Sequence, residues 1–460
     1  MTSTSKGAAP DRLRTIDGYI ADTPYPSNFH SSFQPPWTDW NLERRGIRPP
    51  RSAAKPFRYV DLGCGDAFGL IATAVAHPQG HFVGVDAMPE HVERGQRLID
   101  AAGIGNVTLH CEEFAAAGSL ALGDADYVVA QGVLAWISAT ARAALLDLAA
   151  SWLRPGGAFT VGYNCFPGWS EIYGLQRLIV TLAQSARGSS VERFAQALET
   201  VRTTAIFPPS VWEWLDPLLE RLPPAYFAHE YLNGHWQPSW SADVIAALAE
   251  RGLDFVGQAS AGRMREDLSF PSEWREALTA MPSAAARELA ADLQSGTWYR
   301  QDIYVKRPHR RITASKLPAK LLERWWLLTE PAGQVEFSYA TSAGTFEFDN
   351  AASRAIVSAL GEGPRPLSAI GGFAPADLIN SIDALYAARL VIPLDPPGKT
   401  AADSFNRLLR EQGHDSGGVA TAHGALPIDA ASLEQLGEAD LSRLGLIPGG
   451  GARQRKTPAN

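Results

Sequence analysis

Residues Tyr59 to Gly69 read Tyr-Val-Asp-Leu-Gly-Cys-Gly-Asp-Ala-Phe-Gly, and Asp86 closes the later run Phe-Val-Gly-Val-Asp. The apolar stretch Phe57 to Leu62 has the length of a strand, the glycines after it demand a turn, and the apolar residues from Phe68 suit a helix. His81 to Val85 reads as a second strand that ends in a carboxylate. This order builds a parallel α/β unit that holds a nucleoside. Glycines let the backbone approach a ligand, and an acid at the end of the second strand accepts hydrogen bonds from ribose hydroxyls.

Spacing selects the nucleoside. Dinucleotide sites use G-x-G-x-x-G so that pyrophosphate sits on a helix N-terminus. Here the third glycine, Gly69, comes one place late, and Phe68 holds its position. Asp61 stands two residues before the first glycine, where it would repel pyrophosphate and attract an amino group. S-adenosylmethionine has an ammonium, a sulfonium and no phosphate, so Asp61, Gly63, Gly65 and Asp86 are candidate contacts for that cofactor. Cys64 is a small space-filler with no base beside it in sequence.

Downstream, Asn106 to Leu109 reads as a third strand and is followed by Cys111-Glu112-Glu113-Phe114. Asp126 to Ala130 is a fourth strand, apolar enough to be buried on both faces. An amphipathic helix (Arg142 to Leu153), the turn Leu-Arg-Pro-Gly-Gly and a fifth strand (Ala158 to Val161) complete the unit. The acid-then-aromatic pair and the Leu-Arg-Pro-Gly-Gly turn are similar to those of class I methyltransferases. That resemblance makes Glu113 and Phe114 candidates to flank adenine.

A chain of 460 residues exceeds one hydrophobic core, so two or three domains are expected. Three scattered cysteines suit neither a disulfide framework nor a zinc site, so no metal is expected and a reducing compartment is. The first residues are polar, and no run approaches the roughly 20 apolar residues that span a bilayer. The expectation is a cytoplasmic protein without a membrane span. A formal charge of −8 argues against a nucleic-acid partner.

Residues 1–18 read as a disordered N-terminus. Residues 19–52, with Pro-Tyr-Pro-Ser and several tryptophans, have too many aromatics for a disordered tail and too many prolines for a helix. They are expected to form an arm over the cofactor pocket. Residues 53–169 form the expected catalytic domain, and 170–310 a mainly helical region. Tyr299 to Val305 alternates and reads as a strand, the last of the sheet. Residues 317–400 combine helices with short strands and suggest a winged-helix-like domain. From 331 to 400 seven acids oppose four bases, which favours a protein-facing role over a nucleic-acid one. Residues 401–460 read as a partly disordered tail with a short helix near Ala430 to Leu436.

The chain resembles the class I S-adenosylmethionine methyltransferases that carry a methyltransferase regulatory domain. The residues that carry the likeness are Pro24 to Ser27, Asp61 to Asp66, Gln131 to Trp136, Tyr163 to Trp169, His229 to Asn233 and Arg300 to Asp302. Gln131 stands where many members have His. The family includes bacterial protein-lysine methyltransferases. The resemblance therefore implies a Rossmann-like methyltransferase domain with a helical middle region, and a protein substrate methylated on lysine. The alternatives are O-methylation of a surface sugar or small metabolite, and a non-catalytic cofactor-binding regulator.

Methyl transfer is a direct displacement, so an attacking lysine must arrive deprotonated. Gln131 is expected near the methyl group. Trp136, Tyr163 and Trp169 could wall a channel for an aliphatic ammonium by cation–π attraction, or Trp169 could simply pack a domain junction. Asn164 could bond the nucleophile or satisfy a turn. His229 and Glu230 are the compact acid/base pair of the helical region, either a base and cation holder or a buried structural contact.

Overall fold

The computed structural model describes residues 13–52, 55–341, 343–414, 417–428 and 430–446. Most of the expected disordered N-terminus and the last ten residues lie outside these.

Seven strands form one sheet: β1 (Phe57–Leu62), β2 (Gly80–Asp86), β3 (Val107–Cys111), β4 (Ala125–Gln131), β5 (Leu153–Asn164), β6 (Leu253–Gln258) and β7 (Tyr299–Lys306). Their order is β3-β2-β1-β4-β5-β7-β6. The first five run parallel, and β7 lies antiparallel between β5 and β6. The strand expected last is thus last in sequence but interior in position. The edge is β6, a strand the sequence reading passed over. Buried residues on both faces of β1 and β4 explain their near-continuous apolar runs.

One face of β5 packs Phe159, Val161 and Tyr163 into a cluster with Leu145, Leu148 and Trp152 of the helix Ala139–Trp152. The other face carries Thr160, whose hydroxyl lies 3.1 Å from that of Thr38. Thr38 belongs to α1 (Pro35–Arg44), a helix in the segment judged too proline-rich to hold one. Pro35 and Pro36 occupy its first turn, where the missing N–H groups would have no intrahelical partner.

Helix α1 joins the sheet to a C-terminal unit. Trp40 is fully buried against Trp326 (ring centroids 4.7 Å), and Arg44 makes two hydrogen bonds to Asp383 at 2.6 and 3.0 Å. Glu43 accepts from Arg324 at 2.8 Å, and Asp39 accepts from the Tyr127 hydroxyl of β4. The C-terminal unit has a three-stranded antiparallel sheet (Trp325–Leu328 between Arg365–Pro366 and Val391–Leu394) and a separate hairpin (Ser338–Thr341, Gly344–Glu347). Helices Ala351–Gly361 and Pro375–Ala387 pack against these. Beyond it, helix Ala402–Glu411 and the segment around Val419 cover the helix that follows β1, through Phe405, Leu409 and Val419.

Candidate active site

The chain leaves β1 through Gly63 at φ +80° and Gly65 at φ +57°, backbone that favours glycine. A Cβ on Gly63 would also collide with Val133, in the loop after β4. The Gly63 N–H donates to the Val85 carbonyl at 2.7 Å, closing the turn onto β2. Asp86, at the end of β2, accepts from the Gly65 N–H through Oδ2 and from the Met88 N–H through Oδ1, both at 2.9 Å. His91 Nδ1 lies 3.3 Å from Oδ1. Oδ2 retains lone-pair capacity for a hydroxyl donor.

Asp61 lies beside this turn on β1. Its Oδ1 is buried without a hydrogen-bond partner among the described residues. Burial, assisted by the charge of Asp86, pushes its pKa up to about 7. A buried carboxylate without a partner is costly, and an ammonium group is the kind of ligand that would relieve it. The glycine turn, the orphaned acid and the held carboxylate of Asp86 thus fit S-adenosylmethionine. Glu113 sits exposed at the start of the short helix Phe114–Ala117, and Phe114 is half-buried beside it. The Glu112 N–H donates to the Asp86 carbonyl at 3.0 Å, which brings this segment alongside β2.

Gln131 ends β4 opposite Gly162 of β5, and Asn164 pairs with Tyr299 of β7. Positions two apart along a strand share a face. Asp61, Gln131, Gly162, Asn164 and Tyr299 therefore lie on one side of the sheet, the side of α1 and the N-terminal arm. The Tyr299 ring reaches over Gly162, where any Cβ would meet its hydroxyl and, at 2.8 Å, Phe33.

The arm and the helix α2 (Pro224–Leu232) close this region. His229, fully buried, donates through Nε2 to the Thr23 carbonyl at 3.0 Å. The rings of Tyr19 and Tyr25 pack on it at 5.1 and 5.2 Å. Burial lowers its pKa to about 4, so it is a neutral clamp for the arm at pH 7. Gln301 donates to the Ser32 carbonyl at 2.7 Å, and Ser27 bonds Asp66 in the glycine turn.

Glu230 is buried next to His229, and burial pushes its pKa up to about 8, while Tyr226 and Asn164 facing it draw it down. Tyr226 stands one helical turn earlier on the same face. Tyr25 lies 6.2 Å from Tyr226, centroid to centroid. Burial and the nearby Glu230 charge raise the pKa values of Tyr25, Tyr226 and Tyr299, so these phenols stay neutral. These three tyrosines, together with Tyr19 and Tyr231, share the surroundings of one buried carboxylate.

Tyr163 does not join them. It is fully buried on the opposite face of β5, and its hydroxyl donates to Asp302 at 2.6 Å. Asp302, Asp292 and Glu288 all bond the buried guanidinium of Arg300 at 2.8 Å. Trp136 and Trp169, the expected channel walls, are each 8% exposed and pack in the helical region's apolar core, the junction role also open to Trp169 from its sequence. The Trp169 Nε1–H donates to the Trp298 carbonyl at 3.0 Å, and the Trp236 and Trp298 rings lie edge-on at 5.2 and 5.4 Å. Tyr25, Tyr226 and Tyr299 were not singled out from sequence. A signal existed for one of them, since Tyr226 and Glu230 are spaced to share a helix face.

A family model described as a methyltransferase domain matches residues 54–201, and one described as a predicted methyltransferase regulatory domain matches residues 223–306. The chain is a class I S-adenosylmethionine-dependent methyltransferase with a methyltransferase regulatory domain. An uncharacterized protein of Synechocystis sp. is 24% identical to this methyltransferase over 382 residues, covering 82% of this chain and 75% of that protein. An uncharacterized Rickettsia prowazekii protein is 30% identical over 164 residues, 36% of this chain and 64% of that protein. Among solved structures, PKMT2 from Rickettsia typhi in complex with AdoHcy superposes with a TM-score of 0.66 at 17% identity. The match covers 90% of this methyltransferase and 88% of that chain, so the shared fold extends across nearly the whole chain. The regulatory stretch supplies β6, β7 and α2, and with them Tyr226, Glu230 and Tyr299. Among the described residues no helix is long and apolar enough to cross a membrane, and no cluster of side chains could hold a metal ion.

Proposed function

We propose that this methyltransferase transfers methyl groups to lysine side chains of a protein. The observation that carries this reading is the set of neutral phenols of Tyr25, Tyr226 and Tyr299 around Glu230, on the same sheet face as Asp61 and Gln131. Aromatic faces with one carboxylate attract an aliphatic ammonium, by cation–π contact and by charge. S-adenosylmethionine, when bound, supplies a methyl group on a sulfonium. Asp61 holds the cofactor's ammonium, Gly63 and Gly65 give its methionine part close backbone contact, and Asp86 accepts from its ribose hydroxyls. Glu113 and Phe114 flank its base, and Gln131 lies nearest the reacting carbon.

Glu230 holds the incoming lysine. With a pKa near 8 it can also take the lysine's proton, leaving the neutral amine that attack requires. Asn164 orients the amine, and His229 acts through the arm as a positioning residue. The family resemblance to protein-lysine methyltransferases supports the same acceptor. Purified enzyme, labelled cofactor and cell lysate test it. Acid-stable label in protein, mapped to lysine by mass spectrometry, is expected. Label confined to sugar or small-molecule fractions would overturn the assignment.

A further inference from the structure

Three cavities lie away from the site just described, and one of them reverses the sign of the chain. It has a volume of about 640 Å³ and sits at the amino ends of the parallel strands, the edge opposite Asp61 and Gln131. Its walls come from the linker that enters the sheet (48–52, 55–56), from Asp126 and Arg154 at the starts of β4 and β5, and from the segment 311–320 that leaves for the C-terminal unit.

Seven basic side chains and two acidic ones line it, in a chain whose formal charge is −8. Three of the bases are compensated. Arg51 is buried against Asp395 at 2.7 Å, Arg154 lies 2.7 Å from Asp126, and Lys320 lies 3.2 Å from Glu323. Arg48, Lys55, Arg311 and Lys316 have no carboxylate within ion-pair distance among the described residues. A concave site lined by one sign of charge focuses its field and concentrates counter-ions.

We propose that this cleft binds a small ligand carrying a chain of phosphates. Four uncompensated cations call for about as many negative charges; a dicarboxylate would leave two of them bare. Two of the four are guanidinium groups, whose forked N–H donors match phosphate oxygens. The volume suits a nucleotide-sized molecule. A long nucleic acid would have to lie along a protein that repels it overall. Because the walls belong to both linkers, a bound anion ties the sheet to the C-terminal unit and stabilises their junction.

Calorimetry and thermal unfolding of the full chain with sodium triphosphate, ATP and AMP, at low and high salt, test the proposal. Saturable triphosphate binding that weakens with salt and raises the unfolding temperature is expected. The double variant Lys55→Ala/Lys316→Ala, at two exposed positions, should bind triphosphate roughly tenfold or more weakly, with methyl transfer and cofactor affinity unchanged. Equal affinity for triphosphate and ATP would assign recognition to the phosphate chain alone, and tighter ATP binding would add the nucleoside. No saturable binding at low salt, an unchanged affinity in the double variant, competition with S-adenosylmethionine, or tighter binding of an oligo-glutamate peptide would each overturn it.

Discussion

Replacing Asp61 by Asn separates two consequences of one buried charge. Its pKa rises from the ordinary 3.8 to about 7, which corresponds to about 4 kcal/mol of extra cost for ionising it in the folded protein. If the cofactor's ammonium binds the ionised form, affinity follows the ionised fraction. That fraction is roughly nine-tenths at pH 8 and one-tenth at pH 6, so affinity should fall roughly tenfold across that interval. A charge-assisted contact is worth about 1.5–3 kcal/mol, so Asp61→Asn should bind about 10- to 150-fold more weakly at pH 8. The gap should narrow towards pH 6, where the wild-type carboxylate is already protonated. Titration calorimetry in buffers of different ionisation enthalpy should also detect proton release on binding near pH 7, absent in the variant. Stability runs the other way. A carboxyl with a raised folded pKa gives up stability as pH climbs from about 4 through about 7, so the cofactor-free variant should be the more stable protein at pH 8. A wild-type affinity that is flat from pH 6 to 8, or an Asn variant that binds like wild type at pH 8, would refute the reasoning.

Three further outcomes are expected. Wild-type acceptor methylation (kcat/KM) should rise with pH through about 8, and Glu230→Gln should flatten that rise and lower the rate about 10²-fold or more, with cofactor affinity kept; initial-rate profiles check it. Gly162→Ala should displace the Tyr299 hydroxyl and impair acceptor use by up to about 10²-fold, as steady-state kinetics would read, while calorimetry finds cofactor binding unchanged. Arg300→Leu leaves three acids without their shared partner, and urea unfolding should register a loss of about 3–5 kcal/mol.

What could be read from sequence was local. The strand before Gly63, the positive-φ turn and the acid ending β2 are contiguous signals, each dictated by a few neighbouring residues. The insertion of β7 between β5 and β6 depends on pairing across more than a hundred residues, which no local pattern records. Alternation did hold one unused message. Tyr163 and Asn164 are adjacent on a strand and must face opposite sides, so they could not both enter one site. The tyrosines around Glu230 come from positions as far apart as 25, 226 and 299, and only the folded chain brings them together. The prolines misled because their effect depends on position: fatal inside a helix, harmless in its first turn.

Helix α1 leaves the ribosome well before the residues that bury Trp40 and pair with Arg44, which are Trp326, Asp383 and Tyr386. During synthesis its indole rings must wait for the C-terminal unit before they find cover. An element made long before its cover leaves apolar surface open to aggregation in the nascent protein, the kind of surface that chaperones shelter.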